Sequence, residues 1–273
     1  MNRFYLGCAI FMIKAVDVAA IDQLPWYGDV YAFRSSTSVA YSYFHYVDGA
    51  RPDRSYPSNN YVAATGIGFT LNEDLDFDLD LEMAQTPRQN FSFRSSALQA
   101  RYRIYNDIAA DPISLVAGVN IRGVSSKSVK DISSPYASYC NFEATAAVGK
   151  EYSSLEYWTM RWSVFTALGI ATHGYPWIRS LVACEANIKD VHQYGGFIEG
   201  YFGLFGKNRV LVDRHHGWGN IQHESIDLGA FYRYQLGLWG ALRFSYSCRV
   251  FAHNYPEYEQ RGVINYEIPF SLF

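Results

Sequence analysis

Five carboxylates stand at alternate positions between Asp74 and Met83: Asp74, Asp76, Asp78, Asp80 and Glu82. Leu75, Phe77, Leu79, Leu81 and Met83 fill the gaps. Successive side chains of a strand point to opposite faces, so the stretch predicts a β-strand with one acidic and one oily face. Neighbouring acids on one face lie ~7 Å apart along a line, which is too linear for a compact oxygen cage around a cation. Guanidinium groups are the natural partners, because their planar fork meets a carboxylate at two points. Gln99, Arg101 and Arg103 share one face of the following segment. Pairing the two segments antiparallel brings Asp74 and Asp76 near Arg101 and Arg103. A second constellation, His223, Ser225 and Asp227, also keeps one parity and holds a base, a hydroxyl and an acid.

About twelve strands with this two-faced plan can be marked from Ser36 to Phe273. The third runs from Asp74 to Met83, with a medium connection, Gln85 to Asn90, after it. The fourth puts Leu98, Ala100, Tyr102 and Ile104 outside. The fifth sets Leu115, Val119 and Ile121 against Asn120 and Arg122, and the sixth sets Phe142, Ala144 and Val148 against Glu143. The seventh alternates Trp158, Met160 and Trp162 with Thr159, Arg161 and Ser163. The eighth alternates Val182 and Cys184 with Arg179 and Glu185. The tenth places Ile226, Leu228, Tyr232 and Tyr234 opposite His223, Ser225 and Asp227. The eleventh starts at Leu238 and puts Arg243 inside, and the last carries Ile264, Tyr266 and Ile268 against Asn265 and Glu267. Lys150 is the clearest charge on an oily face.

Composition narrows the setting of these strands. Aromatic residues make up 17% of the 273 residues, with 23 Tyr, while charged residues are 18% and net charge is −3. A near-neutral chain does not have the basic footprint of a nucleic-acid binder. Past the N-terminus, no apolar run approaches the ~20 residues of a membrane helix. Abundant Tyr suits a water–membrane boundary. Cys140, Cys184 and Cys248 fall on oily faces and no Cys-x-x-Cys pair occurs, so no zinc or redox motif is present. No cofactor or metal is expected. At the N-terminus, Arg3, the apolar stretch Phe4 to Ile13 and Val18-Ala19-Ala20 read as a secretory signal over residues 1–20. Residues 21–35 then form a periplasmic or lumenal lead-in to a barrel over 36–273.

A charge at mid-membrane on a lipid-facing strand costs ~2–4 kcal/mol, so strict segregation of charge is the mark of a membrane barrel. Connection length also alternates: 48–60, 123–136 and 206–220 are long, and the joins after even-numbered strands are mostly tight. The terminal strand ends Tyr-Glu-Ile-Pro-Phe-Ser-Leu-Phe. On these features the chain resembles bacterial outer-membrane β-barrel proteins, whose last strand commonly ends in an aromatic read by the assembly machinery. The resemblance implies an all-β, up-and-down antiparallel barrel of about twelve strands. Both chain ends would face the periplasm, the oily face would meet outer-membrane lipid, and the Gram-negative cell envelope would be its location. Pro269 predicts an irregularity in the last strand.

The function implied is a channel or small-solute pore. Its lumen would be lined by Asp74, Asp76, Asp78, Asp80, Glu82, Arg101, Arg103, Arg122, Glu143, Arg161, Arg179 and Arg243. An acidic wall facing an Arg-lined wall would set a transverse field that selects small polar or charged solutes. An alternative is a filled barrel whose long loops bind a partner surface. A third is an enzyme, because the His-x-Ser spacing of His223 and Ser225 resembles that of outer-membrane phospholipase A. In that family the pair faces lipid and Asn-Gly follows the Ser. Here Ile226-Asp227 follow, and the parity puts His223 and Ser225 inside.

Overall fold

The computed structural model describes residues 23–154 and 157–270. The expected signal peptide and Phe273 lie outside these residues. Twelve strands close into one antiparallel barrel in which each strand pairs with its neighbours in sequence. They are β1 (Phe33–Phe44), β2 (Ser58–Thr70), β3 (Leu75–Thr86), β4 (Gln89–Tyr105), β5 (Ser114–Val124) and β6 (Cys140–Ser154). β7 (Tyr157–Ala171), β8 (Trp177–Ile188), β9 (His192–Gly203), β10 (Glu224–Gln235), β11 (Ala241–His253) and β12 (Gln260–Phe270) complete it. Pairing of β1 with β12 shuts the sheet, so none of the twelve is an edge. Among the described residues no helix is long and apolar enough to cross a membrane.

Alternation sets the two faces. On β3, Asp76, Asp78, Asp80 and Glu82 are buried inside the barrel, while Phe77, Leu79 and Leu81 are exposed on its outer surface. Leu98, Tyr102, Val119, Ile121, Leu168, Val182, Ile198 and Leu228 extend this apolar belt. Lys150 lies beside it but reaches toward the turn carboxylate Asp107, 4.0 Å away.

Several boundaries differ from the expected ones. Asp74 keeps the acidic parity but stands in the turn before β3, where it is exposed. The expected loop between β3 and β4 shrinks to Pro87 and Arg88, because the Thr86 hydroxyl accepts the backbone N–H groups of Arg88 and Gln89 and folds the turn locally. Leu238 is 97% exposed in a 3₁₀ turn, Gly237–Trp239, and β11 begins at Ala241. Pairing of β12 with β1 runs through Pro269 without a register shift, and its pairing with β11 stops at Glu267.

The two rims are unlike. At the end holding the start of β1, the turns expose Asp29, Glu73, Asp74 and Asp190 against Lys189. The opposite end carries the long loops, 45–57, 125–139 and 204–223. There Arg51, Arg54, Arg88, Lys127, Lys130, Lys207, Arg209 and Arg214 are exposed, against exposed Asp53 and Asp213 and half-buried Asp48 and Glu257. These loops fold over the mouth around a buried apolar cluster of Phe44, Val47, Tyr56, Ile132, Val210, Trp218 and Tyr255. Burying such side chains stabilises the lid by roughly 1.5–3 kcal/mol apiece.

Candidate lumenal channel

The first inner wall is built on β3. Asp76 accepts both Arg34 Nη2 (2.9 Å) and Arg101 Nη2 (2.5 Å), and also the Thr70 hydroxyl (2.8 Å). Arg34 and Arg101 also meet Asp78, at 3.2 and 3.6 Å. Arg34 reaches from β1 across β2 because β2 presents Gly68 there; a Cβ on Gly68 would sit 2.5 Å from Asp78 Oδ1 and 2.8 Å from Arg34 Nη2. Further along, Arg122 on β5 spans β4 to pair with Asp80 (3.1 Å) and Glu82 (2.8 Å). A register shift after Glu82 leaves Arg94 as the extra residue, and it turns inward to lie 3.8 Å from Glu82.

The opposite wall repeats the chemistry. Arg179 donates to Glu143 at 2.9 Å, beside the Trp177 indole N–H at 3.2 Å. Arg249 grips Asp227 with two bonds, 2.7 and 2.9 Å, and also meets Glu259 at 2.8 Å. Rings lie flat over glycines of the adjoining strand: Trp177 on Gly169, Phe231 on Gly195 and Phe197 on Gly229. Arg243 stacks on Phe231, 3.8 Å from the ring centre, and Arg161 bonds Glu151 and covers Trp158 at 4.0 Å. Positive and negative charges therefore alternate within each wall. The expected field between an acidic wall and an arginine wall is not what the side chains form.

Two inserts restrict the bore. At the turn end, Pro25 and Trp26 are buried inside the barrel. Arg101 donates to the Leu24 carbonyl (2.8 Å), Trp26 donates to Asp107 (3.0 Å), and Arg103 covers the Tyr27 ring at 4.2 Å. Burial alone would raise the Asp107 carboxyl, but hydrogen bonds from Ser114, the Glu151 N–H and Trp26 outweigh it and hold it below the usual range. At the loop end, the loop 125–139 crosses the lumen. Ser133 bonds Ser58 on β2, Asp131 accepts Thr86 on β3, and the Tyr136 hydroxyl meets Glu82 and Ser95. Tyr201 on β9 donates to the Pro135 carbonyl and Trp218 to that of Ser134.

Between the inserts lies a small cavity of about 80 Å³, walled by the charged side chains of Arg122, Arg179, Arg249, Glu143, Glu199 and Asp227 and by the rings of Tyr136, Trp177, Tyr201 and Tyr255. A second space of about 40 Å³ lies on the other side of the loop 125–139, beside Arg94, Glu259 and Arg261.

The candidate His223, Ser225 and Asp227 all lie inside the barrel, at most 6% exposed. They do not form a catalytic relay. His223 Nδ1 pairs with the Ile221 carbonyl at 2.8 Å, His223 Nε2 has no partner among the described residues, and Asp227 is taken by Arg249. Burial first, then the charge of Arg249, lowers the His223 pKa to about 4. His215 is also buried, and among the described residues neither of its ring nitrogens has a hydrogen-bond partner. Burial, followed by the charges of Arg88, His216 and His223, lowers its pKa to about 3.

The closed twelve-strand sheet, with apolar outside and ion-paired inside, can be compared with solved proteins. An outer membrane channel of the COG4313 type from Pseudomonas putida F1 superimposes with a TM-score of 0.63 at 10% identity, over 89% of this chain and 97% of that one. The fold is that of twelve-stranded outer-membrane β-barrels. The NanC porin matches the barrel at a TM-score of 0.53 and 7% identity, over 84% of this chain and 97% of its own. The KdgM porin, solved in complex with disordered oligogalacturonate, matches it at 0.52 and 10%, over 85% and 99%. No protein-family profile and no curated protein matches the barrel by sequence.

Arg34, Arg94, Tyr136, Glu259 and Arg261 belong to the lumen beyond the residues read from sequence. Extending the even parity of β1 back two residues would have found Arg34. Arg94 depends on the bulge, and Tyr136 on how its loop folds, neither of which alternation encodes.

Proposed function

We propose that the chain is an outer-membrane channel for small polar or charged solutes, its bore narrowed by the loop 125–139 and by residues 24–27. The cavity of about 80 Å³ between the two ion-paired walls carries this reading, because a barrel filled only for stability has no need of a space ringed by charged side chains at its centre. Local charge pairing supports broad, size-limited passage rather than strong ion selectivity. The short turns and both chain ends are assigned to the periplasm and the long loops to the cell exterior. Export by residues 1–20, and recognition of the last strand by the assembly machinery, complete the reading.

Conductance across a planar bilayer tests it. The full chain gives small steps, and replacing residues 127–134 by a short Gly-Ser link raises them severalfold, with heat-modifiable mobility showing that both barrels are folded. Inserted protein that stays electrically silent in both forms would overturn the channel reading.

A further inference from the structure

The basic residues of the loop rim have no role in the lumen. Among the described residues, Arg54 with Asp213 at 3.6 Å is the one ion pair that the exposed loop cations make. Arg88, Lys127 and Lys130 have no acidic partner, although inside the barrel almost every arginine is matched. The four cluster in one quadrant. Arg88 is in the turn between β3 and β4; Lys127 lies within a helical turn, Ser126–Val129, that Lys130 caps, and its Ser128 bonds Gln89 at the start of β4. Arg54 and Arg88 border an open recess of about 370 Å³ on the outer side of the loops.

Directly below, on the lipid-facing surface, stand Tyr61, Phe91 and Phe93, each at least 44% exposed. Tyr61 and Phe93 lie opposite Gln85 and Met83 of β3, so these rings sit at the same end of the barrel as Arg88. Aromatic rings at that level mark the boundary between acyl chains and headgroups. Unpaired cations immediately beyond the boundary are at the height of the headgroup phosphates. The opposite rim is acidic, so the arrangement is one-sided.

We infer that the quadrant formed by Arg54, Arg88, Lys127 and Lys130 binds the phosphate groups of lipid headgroups in the leaflet around the loop end, with the acyl chains lying on Tyr61, Phe91 and Phe93. Arginine forks and lysine ammonium groups both suit phosphate oxygens. The inference requires the barrel to be embedded in a bilayer and is independent of whether it conducts.

The test titrates the detergent-folded full chain with diphosphoryl lipid A and with its phosphate-free counterpart, reading bound lipid by native mass spectrometry. The phosphorylated lipid binds at least tenfold more tightly, and the difference shrinks as salt rises. Arg88→Gln together with Lys130→Gln lowers its affinity by about thirtyfold at low salt, given the usual contribution of two surface charges. Lys189→Gln, on the opposite rim, leaves it unchanged. Equal affinity for the two lipids, an unaffected double variant, or an equal loss in Lys189→Gln would each overturn the inference. Inorganic phosphate competing at the same concentration as the lipid would assign the quadrant to free anions and overturn the lipid reading as well.

Discussion

Replacing Asp76 by Asn separates a structural ion cluster from a free lumenal charge. Asp76 is fully buried and takes bonds from Arg34, Arg101 and Thr70. The amide keeps the shape but loses the charge and one acceptor oxygen. Arg101, 3% exposed, keeps Asp78 at 3.6 Å and the Leu24 carbonyl at 2.8 Å but loses its shortest ion pair. Breaking a buried pair costs about 3–5 kcal/mol. The surviving Asp78 contact places the expected loss near the lower end, at about 3 kcal/mol. With a urea dependence of roughly 1–3 kcal/mol per molar, the unfolding midpoint falls by about 1–3 M.

The assay is urea unfolding of the lipid-refolded barrel, followed by tryptophan fluorescence. Asp74→Asn is the matched control: it has the same parity in the sequence, but it is an exposed turn residue expected to move stability by no more than about 0.5 kcal/mol. Adding Arg101→Gln to Asp76→Asn should recover part of the loss, because the two groups share one interaction. Equal stability of the Asp76 and Asp74 variants, or strict additivity in the double variant, would refute the paired-wall reasoning and return Asp76 to the pool of free pore charges.

Two other outcomes follow from the same geometry. Gly68→Ala should destabilise the barrel by about 1–3 kcal/mol, measured in the same unfolding assay, because the added methyl displaces Arg34 and Asp78. The loop lid should loosen in acid. The folded pKa values of His215 and His223, about 3 and about 4, lie below the ordinary value, so the lid's stability is complete above about pH 6.5 and falls as pH drops from there toward the folded values. Each histidine contributes about 1.4 kcal/mol per pH unit in that window. Protease cleavage within 204–223 should therefore rise between about pH 7 and about pH 5, and His215→Phe should flatten the rise.

Strand parity was readable because regular strands bury one face and leave the other to lipid. The alternation from Leu75 to Met83 assigned Asp76 to Glu82 to the interior without any partner being known. Register decided the rest. Asp76 meets Arg101 directly across the β3–β4 pair, but Arg34 and Arg122 arrive from two strands away, over neighbours that sequence alone does not align. Asp74 shows where alternation overreaches: the pattern continues into a turn whose backbone no longer follows it. Arg94 shows the opposite failure, because one bulged residue reverses the phase of everything beyond it. The lid was illegible for a different reason. Its apolar residues, such as Val210 and Trp218, are scattered through polar loops and become a core only when three loops meet.

The loop 125–139 also bears on the order of assembly. Its bonds to Thr86, Ser58, Tyr201 and Trp218 join residues 45, 75, 66 and 84 positions apart. Contacts of such long range form late, after the intervening chain is in place. The loop touches β2, β3 and β4 on one side and β9 and the loop 204–223 on the other, so it can seat only when both sides are present. Its seating thus reports that the cylinder has closed. A barrel caught part-way into the membrane would carry this loop unanchored and open to protease, while its early strands were already paired.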